Sequence, residues 1–157
     1  MSKDELYLKS ATIEDSEKIY KMQIIGFKAL LEKYQDYDTN PGAETLEGVK
    51  KRFALDAVDQ YFITLQDEDI GYIRIVHMGE GTYKLSQLFI LPGYQNNGYA
   101  QAAIIQAELL YPDAKKWILD TIKQETKLCR LYEKLGYKLT GVEKNVKPGM
   151  DLVDYEK

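Results

Sequence analysis

The sequence predicts an α+β fold, a mixed, largely antiparallel sheet flanked by helices on both faces. Three observations predict it. Three strand-like segments between Tyr61 and Leu91 are separated only by short turns, which is the pattern of an antiparallel meander. A strand-helix-strand unit lies behind that meander, so one connection must be parallel. The chain has 157 residues and shows no linker or internal repeat, so residues 1–157 read as a single domain.

Each element follows from local pattern. Leu6-Tyr7-Leu8 alternates with Glu5 and Lys9 and reads as a first strand. Thr12 is placed to cap a helix, with Asp15 three residues on. Tyr20, Ile24, Phe27, Leu31 and Tyr34 then mark one apolar helix face, with an interruption expected near Gly26. The turn-rich stretch Asp36-Tyr37-Asp38-Thr39-Asn40-Pro41-Gly42 ends it. Leu46, Val49 and Phe53 suggest a shorter second helix. Strands are expected at Tyr61–Leu65, Ile70–His77 and Thr82–Leu91, with Pro92-Gly93 closing the last. Gly98 to Leu110 reads as a helix ended by Tyr111-Pro112. Lys116–Thr121 is a strand, and Glu125–Leu135 a helix with Gly136 placed to cap it. Tyr137–Val142 and Met150–Tyr155 are the last two strands.

Composition excludes several functions. Lys plus Arg number 21 and Asp plus Glu 25, a net charge of −4, which argues against a nucleic-acid partner. No apolar run approaches the ~20 residues that span a bilayer, so no membrane partner is expected. Met1-Ser2-Lys3-Asp4-Glu5 opens with charges and no apolar stretch follows, unlike a signal peptide. Cys129 is the one cysteine and His77 the one histidine, which rules out a disulfide within the chain and argues against a zinc site. No metal is expected, and a cytoplasmic location fits the absence of disulfides and export signals. Cys129, in mid-helix, reads as a packed thiol, and Trp117 as core. Lys115-Lys116 and Lys50-Lys51-Arg52 read as solvated faces, although either run could touch a phosphate of a ligand.

The informative segment runs from Leu88 to Ala100. A strand ends at Pro92, a short polar loop follows, and the chain enters a helix through Gly98. Free N–H groups at a helix N-terminus, with the positive end of its dipole, bind phosphate without a lysine. Gly98 would let backbone approach a phosphate closely. On Gly98 alone, a plain strand-to-helix turn is the better explanation of the segment. Neither a Gly-Lys-Ser/Thr loop nor a G-x-G-x-x-G fingerprint is present.

Taken whole, the segment resembles the acetyl-coenzyme A signature of the GCN5-related N-acetyltransferases, Q/R-x-x-G-x-G/A after a strand ending in proline. Gln95, Gly98 and Ala100 occupy its fixed positions. Leu131-Tyr132-Glu133-Lys134-Leu135-Gly136-Tyr137 is similar to the family's later helix end and strand. The resemblance covers nearly the whole chain, and it sets His77 aside as structural. It implies acetyl-coenzyme A as co-substrate and direct transfer of the acetyl group to an amine. It places N–H donors for the oxyanion near Leu88, Phe89, Ile90 and Leu91. It places the pyrophosphate against Gln95, Asn96, Asn97, Gly98, Tyr99 and Ala100, and makes Tyr132 the proton donor to the leaving thiolate. Two positions depart from the family pattern. Glu125 stands at the cofactor position where many members have Asn, and Lys84 where many have a catalytic Glu.

In this fold the loop after the first helix roofs the acceptor site. Tyr34, Asp36, Tyr37 and Asp38, with Glu44, would suit a cationic amine, although the same residues make a good solvated turn. The reading is an N-acetyltransferase acting on a small-molecule amine. Its rivals are acetylation of a protein and a silent acyl-coenzyme A-binding domain. The final strands, Met150 to Tyr155, are a candidate surface for a homodimer.

Overall fold

The computed structural model describes residues 5–157; the charged opening, Met1–Asp4, lies outside the described residues. The strands are β1 (Leu6–Ser10), β2 (Val58–Leu65), β3 (Glu68–Gly79), β4 (Thr82–Ile90), β5 (Lys116–Ile122), β6 (Lys138–Lys147) and β7 (Met150–Glu156). The helices are α1 (Ser16–Tyr34), α2 (Leu46–Arg52), α3 (Tyr99–Leu110) and α4 (Thr126–Lys134). The strands form one sheet in the order β1-β2-β3-β4-β5-β7-β6. Every pairing is antiparallel except β4 with β5, so the expected mixed sheet is present.

Alternation along the strands divides two cores. Ile63, Ile73 and Ile90 face α3 and α4 and join Tyr99, Ala103, Ile104 and Tyr132. Their neighbours Phe62, Tyr72 and Phe89 face the other way and meet Ile19, Met22 and Val49 of α1 and α2. Two expectations about α1 are corrected. The helix runs unbroken through Gly26, where a Cβ would lie 2.5 Å from the Phe89 ring. Glycine thus lets α1 sit close to the sheet, at a helix-propensity cost of about 1 kcal/mol. The buried face is also displaced from the expected stripe: Ile24 is 39% exposed, while Ile19, Met22 and the polar Gln23 are buried.

β4 carries the feature that opens the sheet. Its register with β3 slips between Arg74↔Gln87 and Ile75↔Leu85, leaving Ser86 as a bulge. The bulge shifts the in-out phase by one residue, so Leu85 and Leu88 face one side and Gln87 the other. β4 pairs with β5 only from Thr82↔Lys116 to Lys84↔Ile118. Beyond that point β5 pairs with β7 alone on that stretch, and the two parallel strands part.

Candidate functional site

Two concavities meet at the C-terminal half of β4. The first is the gap between the parted strands. Leu91 N donates to Ile70 O at 2.8 Å, so antiparallel alternation turns the N–H groups of Leu88 and Ile90 away from β3, toward the gap. Phe89 and Leu91 are corrections to the expected set: the N–H of each faces β3, and the Phe89 ring packs under α1 against Phe27 and Tyr72.

The loop that follows is held by its own side chains. Gln95 Nε2 donates to Ile90 O at 2.8 Å, and Asn97 Nδ2 to the carbonyls of Tyr94 and Gln95 at 3.1 and 3.0 Å. Gly98 caps α3 at φ 78°, the left-handed region that glycine enters without strain. With no side chain on that cap, the first N–H groups of α3 stay free for a ligand. Lys127, in the first turn of α4, places its ammonium against Asn96 Oδ1. Sequence reading missed Lys127, whose signal is a cation at the wrong end of a helix dipole. The gap and loop thus offer oriented N–H donors and one cation, which suits a phosphate-bearing ligand.

Tyr132 lies on α4 with its ring beside those of Tyr137 and Tyr155. Burial, with the Asp120 charge adding, pushes its phenol up to about 12. Tyr137 and Tyr155 donate to Glu108 and Glu133, whereas the Tyr132 hydroxyl has no hydrogen-bond partner among the described residues. Glu125 is committed elsewhere. Lys33 Nζ lies 2.6 Å from its carboxylate and the Tyr34 hydroxyl donates to it, tying the end of α1 to the start of α4. Burial pushes Glu125 up, but those two partners outweigh it and hold it below the usual carboxylate range. Tyr34 therefore closes this clamp, and it does not line the cavity under the α1–α2 loop described next. Lys147 Nζ adds a bond to Gln35 O at 3.3 Å from β6.

The second concavity lies under the loop between α1 and α2. It encloses about 170 Å³ and is lined by Tyr37, Asp38, Glu44, Arg52, Arg74 and Gln87, among others. Asp36 is not in its wall. It is buried at 6% exposure, where its carboxylate accepts from the hydroxyl and backbone N–H of Thr39 and shapes the turn. Arg52 is also a correction, being turned inward from the basic run to make a two-pronged pair with Glu44. Gln23 Nε2 donates to the same carboxylate at 3.0 Å. Burial pushes Glu44 up, but Arg52 and Gln23 prevail and hold it low, so it is an ion-pair partner and a poor base. Arg74 and Arg52 are the lining residues that sequence reading missed.

His77 stands apart, its Nε2 2.6 Å from Asp59 Oδ2. Among the described residues no helix is long and apolar enough to cross a membrane, and no group of three His, Cys, Asp or Glu side chains converges to hold a metal.

Residues 27–137 match the model of the acetyltransferase (GNAT) family. No curated protein sequence matches the chain. Among solved structures, an acetyltransferase from Thermus thermophilus superposes with a TM-score of 0.76 at 16% identity, over 97% of this chain and 96% of that one. RimL, a ribosomal L7/L12 alpha-N-protein acetyltransferase in complex with coenzyme A, gives 0.77 at 14% identity, covering 97% and 93%. The spermidine/spermine N-acetyltransferase SpeG from Vibrio cholerae gives 0.74 at 17% identity, covering 99% and 93%.

Proposed function

The chain belongs to the acetyltransferase (GNAT) family, and from that premise we propose that it transfers the acetyl group of acetyl-coenzyme A directly to the primary amine of a small molecule. The observation that carries the reading is the parting of β4 and β5 beyond Lys84↔Ile118, with the uncapped start of α3 at the end of β4.

The residues suit the donor. N–H groups from Gln95 to Ala100 would hold its pyrophosphate, with the Lys127 ammonium close by. Bound there, acetyl-coenzyme A supplies a thioester whose carbonyl gains negative charge during transfer. The N–H groups of Leu88 and Ile90 point into the gap where such charge would be met. Tyr132 keeps its proton at neutral pH and would donate it to the departing sulfur. Glu125, taken up by Lys33 and Tyr34, would brace the cofactor cleft rather than touch the ligand.

The acceptor would enter under the α1–α2 loop, past the exposed Tyr37 and Asp38. A cavity of about 170 Å³ has room for a small amine. SpeG and RimL act on a polyamine and on a protein, so this fold accommodates both acceptor classes. The test is a thiol-release assay with acetyl-coenzyme A over polyamines, amino acids, aminoglycosides and short peptides, alongside calorimetric titration of coenzyme A. Thiol release with a small amine is expected. Coenzyme A binding without release on any amine would leave the silent-domain reading; release on peptides alone would move the acceptor class to proteins.

A further inference from the structure

We infer that the cavity under the α1–α2 loop takes an amine that carries a carboxylate, and that Arg74 binds the carboxylate. The inference rests on the acetyl-transfer reading and names its acceptor class.

Two of the lining residues, Arg74 and Gln87, belong to one cross-strand row. Gln60, Arg74 and Gln87 face one another in register across β2, β3 and β4. The next row on the same face is Phe62, Tyr72 and Phe89, which packs against α1 as a helix-covered sheet face should. The polar row is therefore a local exception. A guanidinium placed there is costly unless something pairs with it.

Among the described residues the polar neighbours of Arg74 are the Tyr72 hydroxyl and Ser86, and neither is a carboxylate. Glu44 is taken by Arg52. Arg74 Nε donates to Ser86 Oγ at 3.0 Å, and its Nη1 is buried without a partner. Gln87, 6% exposed, gives its Nε2 to Gln23 and leaves its Oε1 bare. The third such atom among the described residues is Arg52 Nε. All three atoms belong to residues lining this one cavity. They are two cationic donors and one acceptor.

That set describes its ligand. Inside the cavity two guanidinium groups share the Glu44 carboxylate, and the second carboxylate, Asp38, stands at the exposed mouth. Burial lowers Arg74 below the ordinary guanidinium value; Tyr72 and Glu44 offset part of this and the like charge of Arg52 adds to it. A carboxylate answering Arg74 Nη1 and Arg52 Nε would satisfy both donors at once. An N–H on the same molecule would satisfy Gln87 Oε1. Gln87 directly precedes Leu88, whose N–H faces the cofactor gap, so an amine bound there is close to the proposed thioester site. Asp38, at the exposed mouth, matches the ammonium of an arriving zwitterion. A polyamine would instead set cations against Arg52 and Arg74. A phosphate dianion would overfill a site whose wall also holds Glu44 and Asp38.

The test is calorimetric titration, with coenzyme A absent and present, of a panel of amino acids. Each is paired with the amine left by its decarboxylation and with its phosphonate analogue. At least one amino acid should bind ten or more times tighter than its paired amine. Arg74→Gln should erase that preference, Arg74→Lys should keep part of it, and Ser86→Ala should keep it whole, each variant being checked for an intact thermal transition. Equal binding of acids and amines, tighter binding of phosphonates, no binding by any panel member, or a Ser86→Ala variant that behaves like Arg74→Gln would overturn the inference; the last would make Arg74 a strut for the bulge. Thiol release separates the two readings. Carboxylate preference without release removes acetyl transfer and keeps the carboxylate site. Release on decarboxylated amines as fast as on acids removes the carboxylate site and keeps acetyl transfer.

Discussion

The two concavities at β4 are built from different material. The gap between β4 and β5 is lined by backbone: the outward N–H groups of Leu88 and Ile90, and the uncapped start of α3 behind Gly98. The cavity under the α1–α2 loop is lined by side chains, two arginines and a glutamine among them. Backbone donors recognise phosphate and carbonyl oxygen, which all acyl-coenzyme A ligands share. Side chains recognise what differs between acceptors. One domain thus keeps a generic half and a specific half on a single strand, with the Ser86 bulge turning Leu88 to one and Gln87 to the other.

The largest expected effect breaks the generic half at its chemistry. Tyr132→Phe removes a hydroxyl that bonds to none of the described residues, so packing should survive. General-acid help is worth about 10²–10⁴-fold, and kcat should fall by at least tenfold while coenzyme A affinity hardly moves, since the lost contact matters in the transition state. Because burial pushes this phenol up to about 12, wild-type activity should show no loss from its titration between pH 7 and 10. A normal kcat in the Phe variant would make Tyr132 a core residue only.

Next comes Gly98→Val, which inserts methyls at the proposed phosphate cradle and forces a branched residue to φ 78°. Coenzyme A affinity should drop by at least tenfold, about 1.4 kcal/mol, read by calorimetry on protein shown to be folded. Unchanged affinity would mean that the cradle is elsewhere.

The difference in material also explains what could be read from the sequence. Pro92, Gly98 and Gln95 leave a local trace, because a backbone site needs particular turn residues in a short span. Tyr132 and Gly136 lie on a strongly amphipathic helix end and are legible for the same reason. The side-chain cavity gathers Arg52, Arg74 and Gln87 from three elements, and no window contains them together. Arg52 was hidden in a basic run that reads as solvated. One clue was present: Leu85 and Leu88 break the period-2 alternation of β4, which marks the bulge and sends Gln87 inward. The α1 stripe misled by one position because the buried face includes a polar residue, Gln23, that the cavity network requires.

A smaller effect concerns the specific half. Glu44 answers Arg52, and its carboxyl sits below the usual range in the folded protein. A depressed carboxyl adds stability above its unfolded value, and that stability is lost as pH falls through the folded value. Glu44→Gln should therefore cost about 1–3 kcal/mol at pH 7, in line with bonds to charged groups. It should also flatten the loss of melting temperature between pH 6 and pH 3. An unchanged acid profile would show that the pair contributes nothing net.

The smallest expected effect sharpens the contrast between the mouth of the cavity and the turn that roofs it. Asp36 and Asp38 stand two residues apart on one loop, yet one is buried against Thr39 and the other is exposed in the cavity wall. Asp38→Asn removes only an attraction felt through solvent, worth a few tenths to 1 kcal/mol for exposed charges. The acceptor's KM should rise about two- to threefold at low salt, and the rise should vanish as salt shortens the screening length to about 8 Å. Melting temperature should hold. Asp36→Asn should do the reverse, lowering melting temperature by a few degrees through the weakened turn, with a KM change that does not respond to salt. If both variants shift KM with the same salt dependence, the loop acts as one diffuse charge. The distinction between mouth and roof would then be wrong.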